Sequence, residues 1–165
     1  MFKSIEDFAV EWEQEAELTN RVLMVLTDDS LGQAIISGRR TLGDVAWHLV
    51  ASIHYMTAMG LDFQGLPEAA ARPDSAERIA GEYRRISSAM LEAVKTQWTA
   101  DRLQDKQMVG GEVWENGASL RFTLMHQAHH RGQMTVLMRQ AGLRIPEVYG
   151  PTYDTWVEQG REPLS

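Results

Sequence analysis

From Ser4 to about Leu26, the apolar residues Ile5, Phe8, Trp12, Ala16, Val22 and Leu26 recur at helical spacing, while Glu6, Glu11, Glu13 and Glu17 largely take other directions. This pattern predicts a first long amphipathic helix with an acidic, solvated face. The stretch TDDSLGQAIISGRR breaks the pattern. Thr41, with Asp44 three residues on, then resembles a capping arrangement ahead of an apolar run to about Met59, so a second helix is expected to start near Thr41. GLDFQGLPEAAARPD reads as a loop. After it, Asp74 or Ser75 can cap a third helix whose stripe is Ile79, Tyr83, Ile86, Met90 and Val94, with Trp98 at its end.

MVGGEVWENGAS has no helical period and carries turn chemistry at Gly110-Gly111 and Asn116-Gly117, which predicts a short loop or hairpin. A fourth helix follows from about Ala118 to Ala141, with Gly142 as its stop and Pro146 just beyond. The tail can add one short helix around Asp154 to Glu158. Four helices of roughly 20 residues, each near 30 Å long at ~1.5 Å per residue, are the parts of an all-α, antiparallel four-helix bundle.

Composition narrows the picture. A chain of 165 residues, 44% of them hydrophobic, fits one domain over its whole length, residues 1–165. No window approaches the roughly 18 uninterrupted apolar residues of a membrane span. The amino-terminal MFKSIEDFAVEWEQE carries acids where a signal peptide would carry a basic and then an apolar region, so a cytoplasmic protein without a membrane partner is expected. Cysteine is absent, which excludes a disulfide framework, a thiolate metal site and a catalytic cysteine. The net charge of -7 is a poor footprint for neutralising phosphates, so no nucleic-acid partner is expected.

All five histidines fall on the second and fourth helices: His48 and His54 on one, and His126, His129 and His130 on the other. On a helix of about 100° per residue, His126 and His130 are roughly 40° apart and one turn along the axis, so both can reach a common point. Their face carries Phe122, Gln133 and Leu137, flanked by Met125 and Val136, while Arg121, Arg131, Thr135 and Arg139 lie on the far side. The pair is therefore expected to point into the bundle. An unpaired buried polar group costs on the order of 1–3 kcal/mol, and one divalent metal ion would satisfy two imidazoles at once.

His48 shares a face with Val45, Ser52, Tyr55 and Met59 and is also expected inward, whereas His54 is rotated by about 120° and looks away. Three neutral imidazoles at about 2.0–2.1 Å from zinc leave one or more positions for water or substrate, the pattern of a catalytic site.

Plainer readings stand beside this one. A single histidine on an apolar face is more often hydrogen-bonded core than ligand. His129, at i+3 from His126, could replace His130 in the pair, or take a supporting or helix-interface place. Asp44 could orient an imidazole, add a fourth ligand or cap its helix. Tyr55 and Gln133 could hydrogen-bond a metal-bound water or satisfy core groups. Arg131 reads as a solvated or interface residue, or as a catch for an anionic substrate. The second helix is apolar almost all round, with Ala46, Val50 and Ile53 opposite His48, which points to a homodimer interface or to cover by the terminal segment.

The segment His126-Gln127-Ala128-His129-His130-Arg131-Gly132-Gln133, followed by Leu137 and Arg139-Gln140-Ala141-Gly142, resembles the signature near the end of the DinB/YfiT-like superfamily. Asp44-Val45-Ala46-Trp47-His48-Leu49-Val50 is similar to that family's first histidine motif. The resemblance implies a four-helix bundle, often dimeric, with nickel or zinc on three histidines. Carried over residue by residue, the ligands are His48, His126 and His130, which selects His130 over His129.

Characterised relatives include thiol-dependent S-transferases and isomerases. The expected function is accordingly a metal-dependent enzyme that joins a low-molecular-weight thiol to an electrophile, with Asp44, Tyr55 and Gln133 as candidates for positioning a proton or substrate. One rival is metal-dependent hydrolysis of an amide or ester. It needs a general base, and Gln127 stands where an H-E-x-x-H protease has its glutamate. The other rival is a non-catalytic, metal-binding stress-response protein.

Overall fold

The computed structural model describes residues 2–67 and 70–163. Among the described residues the chain is mostly helical, in the order α1 (Ile5–Met24), α2 (Leu42–Ile53), α3 (Ala76–Gln97), β1 (Lys106–Val109), β2 (Glu112–Glu115), α4 (Asn116–Gln140) and α5 (Tyr153–Glu158). Both α1 and α2 pack against α3 and α4. The core between them is built from Phe8, Trp12 and Val22 of α1, Leu49 and Ile53 of α2, Ile79, Ile86 and Met90 of α3, and Leu120, Met134 and Met138 of α4. No described helix is long and apolar enough to cross a membrane.

Helix starts follow side-chain chemistry. Ser4 Oγ accepts from Asp7 N at 3.1 Å while Asp7 accepts from Ser4 N at 3.2 Å, a reciprocal cap on α1. Thr41 and Asp44 form the same box on α2, at 3.2 and 2.9 Å. Ser75, not Asp74, caps α3 by accepting from Arg78 N.

The second helix is shorter than its apolar run. Regular α-helix stops at Ile53 and tightens into a 3-10 segment, His54–Met59, that ends at Gly60 with φ 85°. Ser52 and Thr57 hydroxyls there bond to the carbonyls of Leu49 and His54, at 3.1 and 2.8 Å, a local alternative to the regular ladder.

The segment before α4 forms a true antiparallel hairpin, Lys106 opposite Glu115 and Val109 opposite Glu112, so the fold contains a small sheet and is not purely helical. Gly110 and Gly111, at φ 60° and 86°, supply the turn. Asn116-Gly117 is not a turn but the start of α4. Asn116 is buried, donating its amide to Arg102 O at 3.0 Å and its backbone N–H to Asp105 O at 2.9 Å. Gly142, at φ 73°, ends α4 as expected and lets Leu143 N reach back to Met138 O at 2.9 Å.

Two surface expectations are corrected by packing. Ala46, Val50 and Ile53, the second apolar face of α2, are fully buried within the single chain, so that face is covered without a partner. Arg131 is not solvated but 1% exposed: it donates to Glu15 O at 2.8 Å, to Thr19 Oγ1 at 2.9 Å, and to the Glu15 carboxylate and Tyr149 hydroxyl. The acidic face of α1 thus turns partly towards α4, where Glu11 also pairs with Arg121. Burying a guanidinium is tolerable because nearly all its donors are met by oxygen.

Candidate metal centre

The packing of α2 against α4 brings His48 opposite His126 and His130. His126 Nε2 lies 3.2 Å from His48 Nε2 and 3.1 Å from His130 Nε2. One nitrogen from each of the three lies within 4.8 Å of the others. Metal–nitrogen bonds of about 2.0–2.1 Å place neighbouring donors roughly 3.0 Å apart at right angles and ~3.3 Å apart at tetrahedral angles. The two separations from His126 fall in that interval, and the third pair lies within 4.8 Å. The three residues therefore form a cluster that could hold a divalent ion.

The cluster is not in the depth of the core. The buried stripe of α4 runs through Leu120, Leu124, Gln127, Arg131, Met134 and Met138, while Phe122, Met125 and Val136 on the histidine side are 45%, 64% and 47% exposed. His130 is buried, but His48 and His126 are only half-buried. The expectation of a fully inward pair is corrected to a site on the rim between α2 and α4. Two polar residues on the inner face caused the difference: Arg131 reaches α1, and Gln127 donates to Leu49 O of α2 at 3.1 Å. Gln127 thereby clamps the two helices beside the site.

The imidazoles are held neutral. Burial, followed by the positive potential of His130, His48, His129 and Arg40, pushes His126 down to about 4. His48 is also lowered, by burial first and then by His130 and Arg40. His130 is lowered by burial against the opposing effect of its bond to Gln133. Neutral rings keep a nitrogen lone pair, which a metal needs.

Gln133 decides which nitrogen that is on His130. Its Oε1 lies 2.7 Å from His130 Nδ1, and its amide nitrogen lies 3.1 Å from His129 Nε2. An amide oxygen only accepts, so Nδ1 of His130 carries the proton and Nε2 keeps its lone pair towards His126. His129 is exposed and lies outside the converging group, packing edge-on against the His130 ring at 4.8 Å and bonding to Gln133. His54 is exposed as well.

The other two candidates are committed elsewhere. Asp44 accepts from Thr41 N and sits 3.2 Å from Arg72 Nε, and the Thr41 bond is the main cause of its lowered pKa. The Tyr55 hydroxyl lies 3.4 Å from Ser119 Oγ and 3.5 Å from Met59 Sδ, against the first turn of α4.

The loop before α2 shows no periodic pattern and contributes a surface that apolar spacing does not announce. It carries Ile35, Ile36, Arg39 and Arg40 to a pocket of about 430 Å³ that reaches His130 and Gln133. The available signal was a pair of isoleucines next to Gly-Arg-Arg inside an otherwise polar stretch.

Fold and site together define a mostly helical protein with a rim-lying three-histidine cluster compatible with metal binding. The chain belongs to the DinB family, whose model matches residues 1–162. It is 47% identical over 163 residues to the uncharacterized protein YrdA of Bacillus subtilis, covering 98% of both chains. A crystal structure of a DinB-like protein from Bacillus cereus is similar at a TM-score of 0.86 and 45% identity, over 90% of this chain and 100% of that one. The DinB-like protein YjoA from Bacillus subtilis is similar at a TM-score of 0.69 over 88% of this chain and 99% of its own, and at 15% identity the likeness is one of fold alone.

Proposed function

We propose that this chain is a metal-dependent enzyme in which His48, His126 and His130 hold one nickel or zinc ion, and that it joins a low-molecular-weight thiol to an electrophile. The observation that carries the reading is the convergence of three neutral imidazoles, at 3.1 and 3.2 Å, on a rim open to solvent. In this reading α1 to α4 act as an antiparallel four-helix bundle that works as a homodimer, as the family resemblance implies, in the cytoplasm, as the acidic amino-terminal sequence suggests.

A bound divalent ion would supply a Lewis acid that lowers the pKa of a thiol or water at its open position. Three neutral ligands leave the charge of that ion undiminished. Gln133 acts as a positioning residue by fixing the His130 tautomer. Phe122, whose ring lies 5.7 Å from that of His126, and Val136, which lines a pocket with His130, place apolar surface beside the cluster.

Magnitude favours a thiol over water. A thiol near pKa 8.5 needs a shift of roughly 1.5 units to ionise at neutral pH, whereas bulk water starts at 15.7. Hydrolysis would be helped by a carboxylate base, but Asp44 is engaged with Thr41 and Arg72. The test is turnover of the metal-loaded protein with a panel of low-molecular-weight thiols and a fluorogenic electrophile such as monochlorobimane. Acceleration that disappears in His130→Ala supports the reading. Stoichiometric metal without turnover by any thiol would instead favour a binding protein.

A further inference from the structure

The loop between the 3-10 segment Asp28–Gly32 and α2 is built, not slack. Leu42 N donates to Gln33 O at 2.7 Å and closes its base. Inside it, Arg39 N reaches Ile36 O at 3.4 Å around Gly38, whose φ of 74° suits a residue without a side chain. The turn folds Arg39 and Arg40 back beside Ile35 and Ile36, so that all four line one pocket with Val136 and His130.

The two halves of that lining ask for different things. Ile35 and Ile36 are 68% and 62% exposed, adjacent to each other and to the half-exposed Val136, which makes a contiguous apolar wall facing water. Arg39 and Arg40 have no acidic partner within 4 Å among the described residues, as is also true of Arg78, Arg84, Arg139 and Arg161, but these two line one pocket with His130 on a chain of net charge -7. Arg40 lines the same pocket as His130 and Gln133, so its charge lies on the approach to the histidine cluster. A volume of about 430 Å³ is that of a small-molecule site.

We propose that this pocket binds an amphipathic organic anion, its apolar body against Ile35, Ile36 and Val136 and its anionic group on Arg39 and Arg40, as the substrate brought to the histidine centre. The inference rests on the catalytic reading for its role as substrate, but the binding itself stands on the loop. Arg39 and Arg40 complement negative charge, the isoleucines give an apolar body surface to cover, and His130 with Gln133 belongs to the same lining, which brings the ligand beside the cluster.

The test is binding of 1-octanesulfonate and 1-octanol to the metal-loaded full chain, followed through isoleucine methyl resonances. A sulfonate is a poor metal ligand, so a preference for it reads the arginines and not the ion. Octanesulfonate is expected to bind at least tenfold more tightly than octanol and to shift the Ile35 and Ile36 methyls. In an Arg39→Gln/Arg40→Gln variant the preference should vanish, while Arg39→Lys/Arg40→Lys should keep most of it. Equal affinities for the two probes, an undiminished preference in the glutamine variant, or shifts confined to other isoleucines would each overturn the proposal. Metal content of the same samples separates the two readings: full metal with no preference sinks the anion pocket alone, and a preference without retained metal sinks the histidine centre alone.

Discussion

Gln133 Oε1 accepts from His130 Nδ1 at 2.7 Å, a bond made within one turn of α4 that turns a surface amide into the keeper of a buried imidazole. Because the amide oxygen cannot donate, the tautomer of His130 is set before any ion arrives. Gln133→Leu should therefore weaken metal affinity by roughly 10–100-fold with little change in fold, and Gln133→Glu, which still accepts, should retain most of it. Competition against a chromophoric chelator measures both. Unchanged affinity in the leucine variant would remove Gln133 from the site.

Metal retention should fall with acid in a defined window. The folded pKa values of His48, His126 and His130 lie below the ordinary 6.5, that of His126 at about 4, so the unfolded chain binds more protons between those limits. The contribution of these three groups to the stability of the metal-free protein is then fully present above about pH 6.5 and is lost as pH falls towards 4. Protons compete with the ion for the same nitrogens, so release of metal should follow in the same direction. Thermal melts and metal content across pH 7 to 4 check this. Stability that rises on acidification would contradict it.

Asp44 tests cap against ligand. Its carboxylate accepts from Thr41 N at 2.9 Å, so Asp44→Ala should cost on the order of 1 kcal/mol in a urea titration and leave metal content intact. Loss of the ion in that variant would return Asp44 to the ligand set.

Arg131 should be among the costliest residues to truncate. It is 1% exposed and bound to Glu15, Thr19 and Tyr149, so Arg131→Ala is expected to cost about 3–5 kcal/mol by urea denaturation through the Glu15 charge left without its partner. The exposed Arg21–Glu17 pair is the control, and Arg21→Ala should change stability by less than about 1 kcal/mol. Similar losses in the two variants would show that burial of Arg131 is not what gives it weight.

Much of this could be read from residues alone where one signal governed one element. The Thr41–Asp44 box, the Gly110-Gly111 turn and the Gly142 stop each depend on a few neighbouring atoms, and each lies where its chemistry requires. The order of the helices and the approximate lengths of α1, α3 and α4 followed from apolar spacing. What spacing could not tell was which face of α4 is inside. Phe122, Met125 and Val136 are apolar and outward, while Gln127 and Arg131 are polar and inward, because the oxygens to which they donate lie on α2 and α1, far away in sequence.

The pocket loop was illegible for a related reason. Ile35 and Ile36 follow no period, and their neighbours His130 and Val136 stand about a hundred residues on. The shortened α2 reflects competition by Ser52 and Thr57 hydroxyls for backbone carbonyls, a local effect that an apolar pattern does not register.

The central claim is that His48, His126 and His130 hold one divalent ion. Elemental analysis of protein purified without a histidine tag, beside His48→Ala, His126→Ala and His130→Ala, tests it most directly. Close to one nickel or zinc per chain is expected in the parent protein and little in each variant, with His129→Ala retaining it. Parent protein that binds no divalent ion when supplied with one, or variants that hold as much as the parent, would contradict it.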